Sequence, residues 1–458
     1  MGQSIHRVAP VSRADRIEAL MEGSRADWTI ESLADLARRE SICALHLMHV
    51  GGDGWLKSLD FTLREPDQLE SVLRTGERAD GSSLFAGMGI DAGASDIVLR
   101  PRPETAFLDP FSAEPALVVL CGHLDRSGQP LDISPDTVVR RAASRLGQEL
   151  DCELQALGEV EYFLGHRSDK LDAWGSDDRG YHATSPFVFG AGLRRRAMQV
   201  LEDVGVGVKY GHSEVGWMQA EGWTWEQHEI ELALAPLPQA ADAVVLTQWV
   251  LRNLAHEQGL KCSFAPVVVA GHAGSGAHFH FSPVRGGEHL GAGDSVESLG
   301  PEAQALIAGL VQDGGALMTW GNRDPSSFMR LAQGKESPET ITWGCYNRKA
   351  LVRIPIRARS GDGKTITAPT IEFRLPDGAV HPHLLLAGVA QAMVAAAARG
   401  GTAEVLERSE SGQGAGEALP LDRAGIASDL QACRADMEAD GVIPGLLVDA
   451  ELERLCGD

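Results

Sequence analysis

Apolar and polar positions alternate with period two along many short stretches of this chain and follow helical spacing along fewer, longer ones. Ile17, Leu20 and Met21, then Leu33, Leu36 and Ala37, carry helical spacing over residues 13 to 39. SICALHLMHV and WLKSLDF predict two strands joined by the turn GGDG. ADGSSLFAG predicts a loop, SDIVLRP a strand and PALVVLCGHL another, so residues 1 to 128 form a small, strand-rich first domain.

A linker rich in Gly, Pro and Asp, DRSGQPLDISPDT, leads into the second domain, residues 129 to 458. Ser134 before Pro135 predicts a helix cap, and Val138, Val139, Ala142, Leu146 and Leu150 form the stripe that this helix buries. Short strands then follow in ALGEVEYFLG, VGVKYGHSEV, HEIELAL, FAPVVVA, AHFHFSP, ALVRIPIRA and TIEFRLP. Helices over 240 to 258 and 383 to 399 are interspersed, which predicts a large α/β or α+β domain. SESGQGAGEALP predicts a flexible surface loop before a last helix.

At 458 residues and 43% hydrophobic content the chain can bury a sizeable core. Its 41 basic and 64 acidic residues leave a formal charge of −23, which repels nucleic acid and anionic membrane, so neither is an expected partner. No apolar run approaches the ~18 residues of a membrane span and no signal-peptide pattern opens the chain, so a cytoplasmic location is expected. The seven cysteines are scattered and never in CxxC spacing, which argues against a disulfide framework or a cysteine zinc site.

Glu159 and Glu161 in GEVEYFLG share one strand face by the period-two rule. Alone, such a pair reads as the solvent-facing edge of an amphipathic strand. The pattern recurs, however, at Glu229 and Glu231, at His278 and His280, and at Glu372 and Arg374, as in a curved sheet lining a polar cavity. Carboxylates with an occasional imidazole suit Mg²⁺ or Mn²⁺ better than zinc. Arg330, Arg348, Arg353 and Arg374 supply matching cations, each otherwise a surface ion-pair partner, and Arg353 interrupts the apolar run ALVRIPI. HAGSGAH is not a P-loop, because it lacks GK[ST] and a strand follows it. Trp217, Trp223 and Trp225 suit packing better than a ligand platform.

Taken in order, ADGSSLFAG with SDIVLRPRPETAFLDPF, then GEVEYFLG, GHSEVG with QHEIEL, AGSGAHFHFS, NRDPSSFMRLAQGKE, WGCYNRKALVRIP and EFRLPDGAVHPHLLLA resemble the glutamine synthetase family over residues 40 to 395. The resemblance implies an α+β chain: an N-terminal β-grasp-like domain, then a catalytic domain whose curved antiparallel sheet forms a half-barrel backed by helices. It implies ATP-dependent formation of a γ-glutamyl amide through γ-glutamyl phosphate, giving glutamine from glutamate and ammonia. Two or three Mg²⁺ or Mn²⁺ per site are implied, with Glu161, Glu214 and Glu229 on one metal and Glu159, His278 and Glu372 on another. His280, Ser282 and Arg353 fall on the nucleotide side, Gly274 and Arg330 on the glutamate side, and Arg348 and Arg374 on the transferred phosphate. Glu336 falls where the family has its flap glutamate. A homo-oligomer, a dodecamer of two stacked rings with sites shared between subunits, is implied as well.

Four departures open alternatives. Ala273 stands where the family has an asparagine, and Lys209 where it is acidic. His49 falls where a neighbouring subunit's aspartate binds ammonium, with Asp53 as a substitute. Fourteen residues separate Glu214 from Glu229, about twice the family's interval, so Glu221 competes with Glu214 by spacing, and the extra tryptophan-bearing segment is expected at the substrate entrance. The alternatives are a γ-glutamyl ligase for an organic amine or polyamine, and a non-catalytic regulatory or structural family member.

Overall fold

The strands predicted on either side of GGDG pair antiparallel, from Ala44 opposite Thr62 to Val50 opposite Leu56. They belong to a computed structural model that describes residues 17 to 457 except 66, 168–176, 292, 294, 336, 363–365 and 413–415. The N-terminal sheet comprises β1 (Ala44–Val50), β2 (Leu56–Thr62), β3 (Glu77–Asp80), β4 (Asp96–Pro101), β5 (Phe107–Leu108) and β6 (Ala116–Leu124). Its order is β2-β1-β6-β4-β3, with β5 also on β6 and with β1 and β6 parallel. ADGSSLFAG, expected as a loop, begins in β3 and turns into a short helix, Gly81–Leu84. Asp80 explains the turn: its carboxylate accepts the Ser82 amide and the Ser82 and Ser83 hydroxyls.

β6 is buried along nearly its whole length, which accounts for the unbroken apolar run ALVVLCGHL. Leu117 and Val119 pack with Leu33 and Leu36 of helix Ile30–Arg39, while Val118 and Leu120 join the core of the second domain. Ser134 does stand at the N-cap of helix Pro135–Leu150, but its hydroxyl makes no cap hydrogen bond. It is instead 2.8 Å from His123 Nδ1, and His123 Nε2 is 3.0 Å from His49 Nδ1. Burial pushes the His49 imidazole down to about 4 and that of His123 down to about 3. Between those values and the ordinary ~6.5, the unfolded chain binds more protons than the folded one, so stability is lost as pH falls through that window. The urea midpoint is expected to drop between pH 7 and pH 4.5, and a His49→Leu/His123→Leu double variant to show a flatter profile. Equal slopes in both proteins would contradict this.

The second domain is built on β7 (Glu153–Arg167), β8 (Val208–Ala220), β9 (Trp223–Leu232), β10 (Ala235–Pro236), β11 (Lys261–Ser263), β12 (Phe279–Arg285), β13 (Glu288–His289), β14 (Thr340–Cys345), β15 (Ala350–Ile354), β16 (Ile371–Phe373) and β17 (Glu417–Ala418). The sheet runs β17-β14-β15-β16-β12-β7-β9-β8, with β10 and β11 on β7 and β13 on β12. Helix Pro382–Arg399 packs among Pro135–Leu150, Leu237–Glu257 and Pro301–Gln312, and its nearly continuous apolar sequence reflects burial on all sides. Arg102, just after β4, spans the domain boundary, with Nη1 2.9 Å from Asp242 and 3.3 Å from Asp136.

FAPVVVA, expected as a strand, leaves the sheet after β11, because Pro266 cannot donate to a ladder and its carbonyl instead accepts the Ser275 amide. The long β8–β9 segment is a hairpin whose tip, Glu221 and Gly222, takes positive φ at both positions (51° and 76°). The extra residues therefore lengthen a hairpin. Trp223 packs under Lys261 Nζ at 3.8 Å and Trp217 is buried, so these two side chains are used in packing. SESGQGAGEALP lies partly outside the described residues, and its end pairs with β14 as β17 before helix Arg423–Ala432. Among the described residues no single helix is long and apolar enough to cross a membrane.

Candidate active site

Strand alternation sets out the polar groups and strand order brings them together. Glu161 on β7 lies directly opposite Glu229 on β9, and Glu229 opposite His212 on β8, with Glu214 two residues further on the same face. His212 Nε2 is 3.3 Å from Glu229 Oε1, and Nδ1 is 3.8 Å from Glu214 Oε1. Glu161 Oε2 accepts the Gly276 amide at 2.7 Å and Gln227 Nε2 at 2.8 Å. Burial, then the charges of Glu161 and Glu229, push the Glu214 carboxyl up to about 8; burial with Glu159 and Glu161 drives Glu229 up as well. Three buried carboxylates beside an imidazole, with the charges of Glu214 and Glu229 disfavoured by burial and by their neighbours, fit a hard divalent cation.

A second group adjoins the first. His278 Nδ1 lies 3.0 Å from Glu159 Oε2 and 3.7 Å from Glu372 Oε1. Glu372, on β16, is fully buried between Arg374, whose Nη1 is 2.6 Å from Oε1, and Arg353, whose Nε is 2.5 Å from Oε2. Arg374 Nε donates to the Arg348 carbonyl at 2.9 Å, which fixes one arginine against the next. Arg330 is buried, with Nη2 3.3 Å from His278 Nε2 and Nη1 donating to the Leu375 carbonyl at 3.3 Å.

The glycines of HAGSGAH answer to close approach. A Cβ on Gly274 would stand 2.3 Å from the Pro266 carbonyl oxygen, and one on Gly276 would stand 2.6 Å from His278 Nε2 and 2.9 Å from Glu161 Oε1. The turn thus supplies backbone to the site, with the Gly274 carbonyl accepting from Gln227 at 3.0 Å.

These groups surround a cavity of about 330 Å³ whose wall includes Glu159, Glu161, Glu214, Glu229, Gly274, His278, Arg330, Arg348, Arg353, Glu372 and Arg374. A second cavity, of about 800 Å³, shares Glu159, Tyr210, Arg348 and Arg353 with it and adds His280 and Glu231. Among the expected residues, Ser282 reaches neither wall. It shares a strand face with His280, but its hydroxyl donates to the Pro369 carbonyl at 2.9 Å and meets His289 Nδ1 at 2.9 Å. Asp53 lines a different cavity with Trp55, Arg252 and Arg323, its carboxylate paired with Lys57 at 2.7 Å. Glu221 is exposed at the hairpin tip while Glu214 faces the cavity. Glu336 lies outside the described residues.

Residues not singled out beforehand also line the main cavity: His212, Gln227, Asp178 and Tyr181. His212 with Glu214, and Gln227 with Glu229, carried the same period-two signal as the pairs that were singled out. Asp178 carried none; it sits at φ 52° in a turn, where its carboxylate accepts the Ala273 amide at 3.2 Å and Lys335 Nζ at 3.0 Å.

The family model for the glutamine synthetase catalytic domain matches residues 132–448, and that for the glutamine synthetase β-grasp domain matches residues 41–125. The chain belongs to the glutamine synthetase family. A glutamine synthetase of Methanococcus maripaludis is 32% identical over 322 residues, covering 69% of this chain and 68% of that protein. The fold of the Plasmodium falciparum glutamine synthetase superposes with a TM-score of 0.77 at 16% identity, over 93% of this chain and 94% of that one. GmaS without ligand superposes with a TM-score of 0.74 at 22% identity, over 92% and 94%. The N-terminal sheet is accordingly the family's β-grasp domain, and the large sheet its half-barrel backed by helices.

Proposed function

We propose that this glutamine synthetase family member joins an amine to the γ-carboxyl group of glutamate at the expense of ATP, with ammonia as the amine and glutamine as the product. One observation carries the reading: Glu159, Glu161, Glu214, Glu229, His278 and Glu372 converge on one cavity with Arg330, Arg348 and Arg374. In this reading Glu161, Glu214 and Glu229 would hold one Mg²⁺ or Mn²⁺, and Glu159, His278 and Glu372 another. The bound ions, two or three per site, supply charge neutralisation at the phosphates of ATP.

Arg330 and the Gly274 turn hold glutamate, while His280 and Arg353 face the nucleotide. Ser282 supports that side from behind, through Pro369. The γ-carboxylate oxygen attacks the terminal phosphorus of ATP, and ADP leaves. Arg348 and Arg374, held by the Arg348 carbonyl and by Glu372, meet the charge on the phosphoryl group in transfer. The amine nitrogen then bonds to the γ-carbon of γ-glutamyl phosphate, phosphate leaves, and Glu336 takes the proton that the nitrogen sheds. The same reading carries a cytoplasmic homo-oligomer, a dodecamer of two stacked rings; a monomer by light scattering would contradict the assembly.

A second reading, an organic amine or polyamine as acceptor, is favoured by position 49. His49 is a buried imidazole bonded to His123, held in its neutral form, where a carboxylate for ammonium is expected. Asp53 faces the Trp55 cavity of its own chain. Purified protein with ATP, Mg²⁺ and glutamate is to be offered ammonium and a panel of primary amines, with ADP and the amide measured. Ammonium preferred over every alkylamine supports the first reading and removes the second, and an alkylamine preferred does the reverse. No amine-dependent ADP release sinks both and leaves a non-catalytic family member.

A further inference from the structure

Gln227, on β9, has no part in the roles above, yet it is 1% exposed, lines the main cavity and ties three separate elements together. Its Nε2 donates to Glu161 Oε2 on β7 at 2.8 Å and to the Gly274 carbonyl of the glycine turn at 3.0 Å. Its Oε1 accepts the Gly216 amide of β8 at 3.0 Å. The β8–β9 register shifts between Ser213 and Trp217, which releases the Gly216 amide from the ladder for this side chain. A Cβ on Gly216 would stand 2.6 Å from both Gln227 Oε1 and Phe163 Cζ, so the close approach requires glycine. The partners also fix which way the side-chain amide faces, since a flipped amide would set its oxygen against two oxygens and its nitrogen against an N–H.

Two of these partners belong to different ligands in the proposed reaction. Glu161 belongs to the first ion group, and the Gly274 turn to glutamate. Both protein donors to Glu161, Gln227 Nε2 and the Gly276 amide, fall on Oε2, which leaves Oε1 for the ion. An ion there fixes the carboxylate, the carboxylate fixes the Gln227 amide, and that amide fixes the turn. Glutamate in the turn orders the same groups from the other end. Groups that both ligands need ordered are ordered once, so each ligand tightens the other.

We propose that Gln227 is a positioning residue that couples the ion of Glu161, Glu214 and Glu229 to the glutamate held by the Gly274 turn, a role that rests on the ligase reading above. It acts through the carboxylate that holds one ligand and the turn that holds the other. Asp178 makes the comparison. It holds the same turn through the Ala273 amide at 3.2 Å, but its other neighbours are Lys335 and His272 rather than a carboxylate of the ion group.

The test is titration calorimetry of glutamate into the full-length protein, with and without Mn²⁺ and with no nucleotide, and the ratio of the two dissociation constants is the coupling. The parent is expected to bind glutamate about 10-fold more tightly with Mn²⁺. In Gln227→Met that ratio is expected to fall at least about 3-fold, with the far-ultraviolet spectrum unchanged. Asp178→Asn is expected to weaken glutamate alike with and without the ion and to keep the parent's ratio. A smaller fall in Gln227→Met overturns the proposal, because ion and glutamate then sense each other without Gln227. An equal fall in Asp178→Asn overturns it too, because any loosening of the turn would then suffice. Should Gln227→Met not fold, Gln227→Glu, which keeps the shape and the acceptor for Gly216 but lacks the amide donors, decides by the same ratio. A parent that binds no glutamate sinks the ligase reading and this role with it, whereas bound glutamate with an unmoved ratio sinks this role alone.

Discussion

Glu372→Gln is expected to lower amide synthesis by about 10³-fold or more, and to lower stability by about 3 kcal/mol. The first effect follows from position, because Glu372 stands within reach of His278 and Glu159 and also anchors Arg374 and Arg353. Losing the charge would remove a proposed ion ligand and release two guanidinium groups, that of Arg374, proposed to meet the transferring phosphate, and that of Arg353, proposed to face the nucleotide. The second effect follows from burial. Arg374 is almost fully enclosed, and removing its counter-charge leaves a buried cation uncompensated. Turnover with saturating ATP and glutamate, together with a urea titration, separates the two. Turnover within 10-fold of the parent would show that Glu372 is structural alone.

Asp242→Asn is expected to cost about 3–5 kcal/mol, without altering a single group that lines the catalytic cavity. Asp242 sits on helix Leu237–Glu257, buried, with Oδ2 2.9 Å from Arg102 of the β-grasp domain and Oδ1 3.0 Å from His383 Nε2. Burial alone would raise its carboxyl group; Arg102 and His383 outweigh burial and hold it ionised. With the charge gone, Arg102 keeps Asp136 alone at 3.3 Å across the domain boundary. The loss is to be read from chemical denaturation, and amide exchange should speed first along β6, whose inner face packs on the second domain. A cost below about 1 kcal/mol would mean that apolar contacts alone join the domains.

Much of this was legible beforehand. The half-barrel's donor pairs lie two residues apart on single strands, so Glu159 with Glu161, and His278 with His280, declared their shared face before any strand was placed. The helices expected over residues 240 to 258 and 383 to 399 form as Leu237–Glu257 and Pro382–Arg399. FAPVVVA was misread because a β-rich composition does not show where Pro266 must leave the ladder. Ser282 shows the limit of the periodic signal: period two places it on the face of His280, but about 7 Å further along the strand, where its hydroxyl meets the segment before β16.

What the sequence by itself determined is local: which side chains share a face, which runs are buried on both sides, and which ordered motifs mark the family. Alternation and helical spacing are properties of a few consecutive residues, so they are written in the chain. The tertiary structure alone decided the non-local matters. It put Glu214 rather than Glu221 on the cavity wall with Glu161, because Glu221 falls at the exposed hairpin tip. It brought Asp178 to the cavity from a turn with no periodic signal, and it faced Glu231 onto Glu159 and His280 across three strands. Neighbouring strands are chosen by the packing of the whole sheet, and no stretch of residues carries that choice on its own.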